Sequence, residues 1–343
     1  MSDVSKKTVP GTDLVYVSDS EPGIERVRAG RGFSYRLPDG ARVERQAERA
    51  RIEALGIPPA YEGVWICLKP NGHIQATGKD ERARKQYRYH PDWSDYRARQ
   101  KFDQQSDFAA ALPRIRRRVR ADLDSDPGEL DHTLAALTYL LEHAPMRVGN
   151  REYAEENGTY GVTTLLRRHL KFDGRSIRLD YRAKGGKRVR RTMRHKRLHG
   201  ILHSIADLPG KELFVWRNRD GEFVPVDSSR LNAYLADIAG LEGVTAKTFR
   251  TWAGTLTAFR EAISMIDSGE VPTVKALSGA AADELQNTPT ISRTSYIHPA
   301  VIDLAKDDDG ARRALDKALK TPSTRTGLLA DEQRLEAYLK TIG

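Results

Sequence analysis

Four short segments of this 343-residue chain carry side chains suited to work on an anion. Met146-Arg147-Val148-Gly149-Asn150 follows a leucine-rich run that Pro145 interrupts. Lys184 stands just before Gly185-Gly186 in a basic stretch. Lys247-Thr248-Phe249-Arg250-Thr251-Trp252 opens an apolar run, and Asn287-Thr288-Pro289-Thr290-Ile291-Ser292-Arg293-Thr294-Ser295-Tyr296 closes on a tyrosine. A guanidinium is a planar fork that matches two oxygens at once and does not deprotonate. A lysine carried on a turn can reach out and give a proton to a departing oxygen. A tyrosine phenol, with a reference pKa of about 10, becomes a nucleophile when neighbouring positive charge favours the phenolate. Taken singly, each has an ordinary explanation: a capping Arg, one more basic Lys, an incidental Arg at a helix start, a packing aromatic.

Their surroundings are cationic. The chain holds 57 Lys and Arg against 47 Asp and Glu, a formal net charge of +10. Tyr181 to Gly200 contains nine Lys/Arg and no carboxylate, so the stretch around Lys184 has no local acidic partner. Pro113 to Arg120 adds five arginines, which Asp122, Asp124, Asp126 and Glu129 can partly offset. Such clustering attracts a phosphate backbone and releases its counterions, which makes nucleic acid the leading ligand class. Cys67, the one cysteine, leaves no disulfide framework and no Cys-based zinc site. There is no phosphate-cradling Gly-Lys-Ser/Thr loop, no His-Glu-x-x-His and no Gly-x-Ser-x-Gly. Gly30-Arg31-Gly32 lacks a strand-then-helix setting, so no nucleotide cofactor is expected. Asp307-Asp308-Asp309 reads as a solvated acidic turn rather than a metal cluster. No uncharged stretch exceeds about ten residues, short of a bilayer span. Met1 to Lys7 lacks a signal-peptide apolar region, and the expected setting is soluble and cytoplasmic, at the nucleoid.

The elements that must position these residues fall into two groups, as the length favours. Residues 1–12 read as frayed. Gly63-Val64-Trp65-Ile66-Cys67-Leu68 predicts a buried strand, Lys69-Pro70-Asn71-Gly72 a turn, and His73 to Thr77 the hairpin partner. Lys85-Gln86-Tyr87-Arg88-Tyr89-His90 alternates basic and aromatic residues as a further strand would, and Val43 to Leu55 has the sparse apolar pattern of a surface helix. A boundary is expected in the polar segment Gln100 to Ser106. Beyond it, Asp131 is a candidate N-cap for a helix whose apolar face is Leu134, Leu137, Leu140 and Leu141. Ile177 to Tyr181 and Lys187 to Thr192 alternate around Gly185-Gly186 as a basic β-hairpin, and helices are predicted over 228–239, 247–265, 274–285 and 328–341. The fold class is therefore α+β: a small N-terminal β-sheet domain over 1–102, and a larger, mainly α-helical domain over 103–343 carrying the hairpin.

In this order and with these neighbours, the four segments resemble the active-site set of the type IB DNA topoisomerases, in particular the poxvirus-like and bacterial branch. Pro58-Pro59-Ala60-Tyr61, Gly63 to Ile66, Gly72 to Gly78 and Lys85 to Tyr89 are similar to that branch's N-terminal module. The resemblance covers roughly residues 50–305. It implies a two-lobed clamp on double-stranded DNA, working as a monomer and relaxing supercoils without ATP or metal. Tyr296 would attack to form a 3′-phosphotyrosyl link, with Arg147 and Arg250 stabilising the phosphoryl centre and Lys184 as general acid. Many family members carry His where Asn287 stands, so Asn287 is expected to donate a hydrogen bond to phosphate and nothing more. Gln86, Tyr87, Tyr89, Tyr153 and Lys247 match DNA-contact positions, Lys247 also being able to assist proton transfer. The rival readings are a tyrosine site-specific recombinase and a catalytically silent DNA-binding protein. Recombinases usually show His where this chain has Lys247, and binding alone requires no tyrosine.

Overall fold

The computed structural model describes residues 8–306 and 308–342, so the Met1–Lys7 reading and Asp307 of the acidic turn lie outside it. The chain divides into two compact units between Gln100 and Lys101. The first is built on a five-stranded antiparallel sheet: β1 (Ile24–Ala29), β2 (Gly32–Arg36), β3 (Glu62–Ile66), β4 (Ile74–Lys79) and β5 (Lys85–Tyr89), in the order β2-β1-β3-β4-β5. The predicted hairpin is present, with Trp65 opposite Thr77 and Ile66 opposite Ala76. The Lys69–Gly72 turn closes through the Gly72 amide donating to the Lys69 carbonyl at 3.1 Å. The helix α1 (Gln46–Ala54) sends Ile52 into a core with Ile24, Val43, Val64 and Ile66. Strands β1 and β2 have no legible signal in the sequence, because charged residues at Glu25, Arg26, Arg28 and Arg36 obscure their alternation. Residues 8–12 are not frayed as expected. Thr8 bridges Val15, and the Val9 amide donates to Leu14, with both apolar side chains buried.

The segment expected to be a polar boundary lies inside the 32-residue helix α2 (Pro91–Asp122). Nothing in Gln100–Ser106 stops a helix, and Phe102, Gln105, Phe108, Leu112, Ile115 and Val119 recur at helical spacing and are buried. Next come α3 (Leu130–His143), α4 (Arg151–Asn157), and the strands β6 (Leu170–Asp173), β7 (Ser176–Arg182) and β8 (Arg188–Met193). The predicted basic hairpin is β7–β8, and β6 adds a third strand to it. Then follow α5 (Lys196–Ala206), β9 (Val215–Arg217) paired with β10 (Phe223–Pro225), α6 (Ser228–Ala239), α7 (Ala246–Asp267) and α8 (Val274–Leu285). The chain ends through α9 (Pro289–Tyr296), α10 (Pro299–Asp303), α11 (Asp309–Leu319) and α12 (Ala330–Ile342).

The architecture is thus α+β, a small antiparallel sheet unit and a mainly helical unit with one basic hairpin. In the helical unit α7 is central, packing against α3, α8, α9, α10 and α12. Glu129, not Asp131, is the N-cap of α3, and Asp131 falls in its first turn, where a carboxylate still favours the helix dipole. Asp308 is more than a solvated turn residue, since its carboxylate accepts from the Gly310 and Ala311 amides and caps α11. The hairpin's charge is also less free than expected. Asp180, just upstream of the run, pairs with Arg188 (2.8 Å) and Arg190 (3.5 Å) across β7–β8. Among the described residues, no helix is long and apolar enough to cross a membrane.

Candidate active site

Arg147 lies in the irregular segment that follows α3, where Pro145 stops the helix. Its backbone is fixed from behind: the Arg147 carbonyl accepts from Val162 (2.8 Å) and the Val148 carbonyl from Thr163 (2.9 Å). The two segments touch so closely that a Cβ at Gly161 would collide with the Arg147 carbonyl and the Gly149 backbone. One guanidinium nitrogen of Arg147 then reaches the Asn287 side-chain oxygen at 2.5 Å, tying together residues 140 positions apart.

Arg250, in the second turn of α7, is 3% exposed. It donates to two main-chain carbonyls, Pro145 just before the Arg147 segment and Leu285 at the end of α8 (3.1 Å). Its guanidinium carbon sits 5.0 Å from the centre of the Tyr296 ring. Burial, and to a lesser degree Arg147, push its pKa below the usual range, while Tyr296 opposes that shift. Tyr181 of β7 is a second witness to the convergence. Burial raises its phenol pKa, and Arg250, Arg191 and Arg147 all pull it down. The shared cleft measures only 20 Å³ and is lined by Arg147, Tyr181, Arg191, Arg250, Leu285 and Gln286 among others. A metabolite would find no enclosure there.

The partners of these cations matter more than their number. Arg191 is neutralised by Glu284 at 2.9 Å. Arg147 and Arg250 are held by an amide oxygen and two carbonyls, and among the described residues neither has a carboxylate partner. Two further donors in the site, Arg250 Nε and Asn287 Nδ2, are buried and donate to nothing among the described residues. Buried donors are nearly always satisfied, and leaving one unmet costs about 1–3 kcal/mol.

Tyr296 is the last residue of α9, half-buried. Gly254, in the interior of α7, admits it: a Cβ there would lie 2.7 Å from the Tyr296 carbonyl oxygen and 3.1 Å from its Cβ. A glycine mid-helix costs roughly 1 kcal/mol against alanine, and here it permits α9 to lie directly on α7. In the sequence the signal of this close approach is the glycine of Trp252-Ala253-Gly254-Thr255, set inside an apolar helical run.

The other expected site residues are placed as follows. Lys184 is exposed at the hairpin tip and makes no hydrogen bond or ion pair among the described residues. Lys187, not singled out from sequence, comes nearer, its Nζ 3.5 Å from the Asn287 carbonyl. Lys247 is exposed in the first turn of α7. Tyr153 is exposed on α4, and Tyr87 and Tyr89 are exposed on β5 with stacked rings 5.8 Å apart. Their strand face is open rather than packed inward. Gln86 is half-buried and donates to Asp80 at 3.0 Å. Lys101 and Thr255, which contact the end of α9, were not anticipated.

Comparison with known proteins places the chain in a family. The family model described as eukaryotic DNA topoisomerase I, catalytic core, matches residues 90–306, and the bacterial DNA topoisomerase IB N-terminal domain matches residues 32–80. A DNA topoisomerase 1B of Acanthamoeba polyphaga mimivirus is 27% identical over 297 residues, 83% of this chain and 88% of the viral protein. A mitochondrial DNA topoisomerase I of Rattus norvegicus is 28% identical over 46% of this chain and 26% of its own length. A DNA topoisomerase 1 of Daucus carota is 29% identical over 36% of this chain and 15% of its own length. The catalytic-core match alone spans more than half of the sequence and encloses every residue of the cleft, and on that ground the chain belongs to the type IB DNA topoisomerases.

Proposed function

We propose that Arg147, Arg250, Asn287, Lys184 and Tyr296 carry out the strand transfer of this type IB topoisomerase, with Tyr296 as nucleophile. The Tyr296 oxygen attacks phosphorus, the bond from phosphorus to the 5′ oxygen breaks, and the 3′ phosphate stays esterified to the phenol. The phenolic proton is lost to solvent, and Lys184 gives a proton to the departing 5′ oxygen. Resealing is the same step reversed after the free end has rotated, so the phosphodiester energy is kept in the tyrosyl ester and no ATP is consumed. Two guanidiniums and an ammonium offset the negative charge that spreads over the equatorial oxygens in the transition state. The observation that carries this reading is the Arg250 guanidinium against the Tyr296 ring, with that of Arg147 lining the same cleft, both held only by neutral acceptors and with Arg250 Nε and Asn287 Nδ2 unmet.

Lys184 enters this scheme with DNA bound, since the exposed hairpin tip is where a charged side chain can swing toward a phosphate. Tyr87, Tyr89, Tyr153, Lys247 and, once released from Asp80, Gln86 would contact the duplex. The enzyme would act as a monomer on double-stranded DNA, closing its two units as a clamp, in the cytoplasm at the nucleoid.

Supercoiled plasmid in EDTA is the test. Wild type is expected to give a ladder of relaxed topoisomers and a covalent 3′ adduct that maps to Tyr296. Tyr296→Phe should lose all relaxation while keeping DNA affinity, because only the attacking oxygen is removed. Relaxation by that variant, or an adduct on another side chain, overturns the assignment; recombined products would indicate the recombinase, and unchanged topology a silent binder.

A further inference from the structure

A helix leaves its last four carbonyls without partners among its own turns. In α9 those carbonyls surround Tyr296, the final residue, so the phenol moves with whatever satisfies them. Two side chains from other elements do. Thr255 of α7 donates its hydroxyl to the Tyr296 carbonyl at 3.2 Å and also accepts from the His298 amide at 3.0 Å. Lys101 of α2 donates its ammonium to the Ser295 carbonyl at 2.8 Å, a favourable placement for a cation at a helix C-terminus.

Lys101 is an odd residue to find there on stability grounds. It is half-buried, with Nζ 3.9 Å from the centre of the Phe102 ring. Burial first, then Lys247 of α7, hold its pKa down to about 8. His298, which follows α9, is the other titratable group bearing on it, and Lys101 contributes to that imidazole's own depressed pKa. Among the described residues no carboxylate pairs with Lys101. An apolar side chain would fill the same space without desolvating a charge beside a second lysine.

We propose that Lys101 is a positioning residue for strand cleavage, capping the last turn of α9 so that the Tyr296 phenol is aligned with the phosphorus held by Arg147 and Arg250. The inference rests on the reading of Tyr296 as nucleophile. A misplacement of about 1 Å at a reacting atom can cost on the order of a hundredfold in rate.

Single-turnover cleavage of a nick-trapping duplex by full-length protein, at saturating DNA and pH 7, separates the possibilities. Lys101→Met is expected to cleave more slowly by about tenfold or more, with DNA affinity unchanged and a melting temperature no lower than wild type. Lys101→Arg, which keeps the charge and the donor, should recover most of the rate. A Lys101→Met rate within twofold of wild type, a loss that more DNA abolishes, or an Arg variant as slow as Met would each overturn the proposal. Should Lys101→Met melt early, the Arg variant decides alone, by its rate relative to wild type. An adduct that fails to map to Tyr296 in wild type instead removes the underlying reading, so the two failures are told apart.

Discussion

At the scale of single residues the site is defined by what its cations are denied. Arg250 is nearly sealed from solvent, yet its acceptors are two carbonyls, and Arg147 leans on an amide. Charge left uncompensated in the resting protein is charge available to phosphate. These four residues, Arg147, Arg250, Asn287 and Tyr296, were legible in the sequence through their neighbours, and the structure brings them together. Lys184 was legible too, but its side chain stands apart from them in the free protein, and Lys187 is the lysine that touches Asn287. A leaving-group test distinguishes the two lysines. Lys184→Ala should slow cleavage on an ordinary 5′ oxygen by about a hundredfold or more and barely affect a 5′-thio substitute, which departs with little protonation. Lys187→Ala should slow both substrates alike and mildly. The opposite pattern would transfer the acid role to Lys187.

Among the elements, α9 and α10 are the delicate ones, being short and strung on side-chain caps. His298 joins them: its Nδ1 accepts from the Ala300 amide at 3.1 Å, and its ring packs on Phe102. Burial pushes its pKa down to about 4, from an ordinary value of 6.5. The unfolded chain therefore binds more protons than the folded one between those two values, and stability is lost as pH falls from 6.5 toward 4. A shift of that size corresponds to about 3 kcal/mol. Protonated Nδ1 also cannot accept, so the cap on α10 is lost with it. His298→Asn, which retains a cap acceptor but no titration, should flatten the decline in melting temperature across that range. Curves that stay parallel to wild type would show that another group is the sensor. This contact, like that of Lys101 with Ser295 across 194 positions, left no trace in local pattern. Periodicity reports which face of a helix is buried, not which distant carbonyl a lysine will find.

For the molecule as a whole, the sequence displayed its two-part character and the basic hairpin, because alternation around Gly185-Gly186 and leucine spacing in α3 are local signals. It did not display that α2 runs unbroken through the expected boundary, nor what the last thirty-odd residues do. They brace the helical unit from behind. Arg116 of α2 forks onto Glu332 of α12 at 2.7 and 2.8 Å and reaches Glu142 of α3 at 2.6 Å, while Tyr338 donates to the Ala300 carbonyl at 2.7 Å. Arg116→Met would strand the buried Glu332 carboxylate and should destabilise this unit by about 3–5 kcal/mol. The double variant Arg116→Met/Glu332→Leu should recover much of that loss in thermal melts, and no recovery would mean the pair is not the source.

Acceptors that never ionise confer one more property on the cradle. A histidine in place of Asn287 would change its protonation near neutrality, and carboxylates would do so in mild acid; an amide and two peptide oxygens do neither. The grip on Arg147 and Arg250 is thus indifferent to acidity, and what the scaffold adds to a pH–rate profile of this enzyme comes from Lys101 and His298 at the end of α9, not from the cradle.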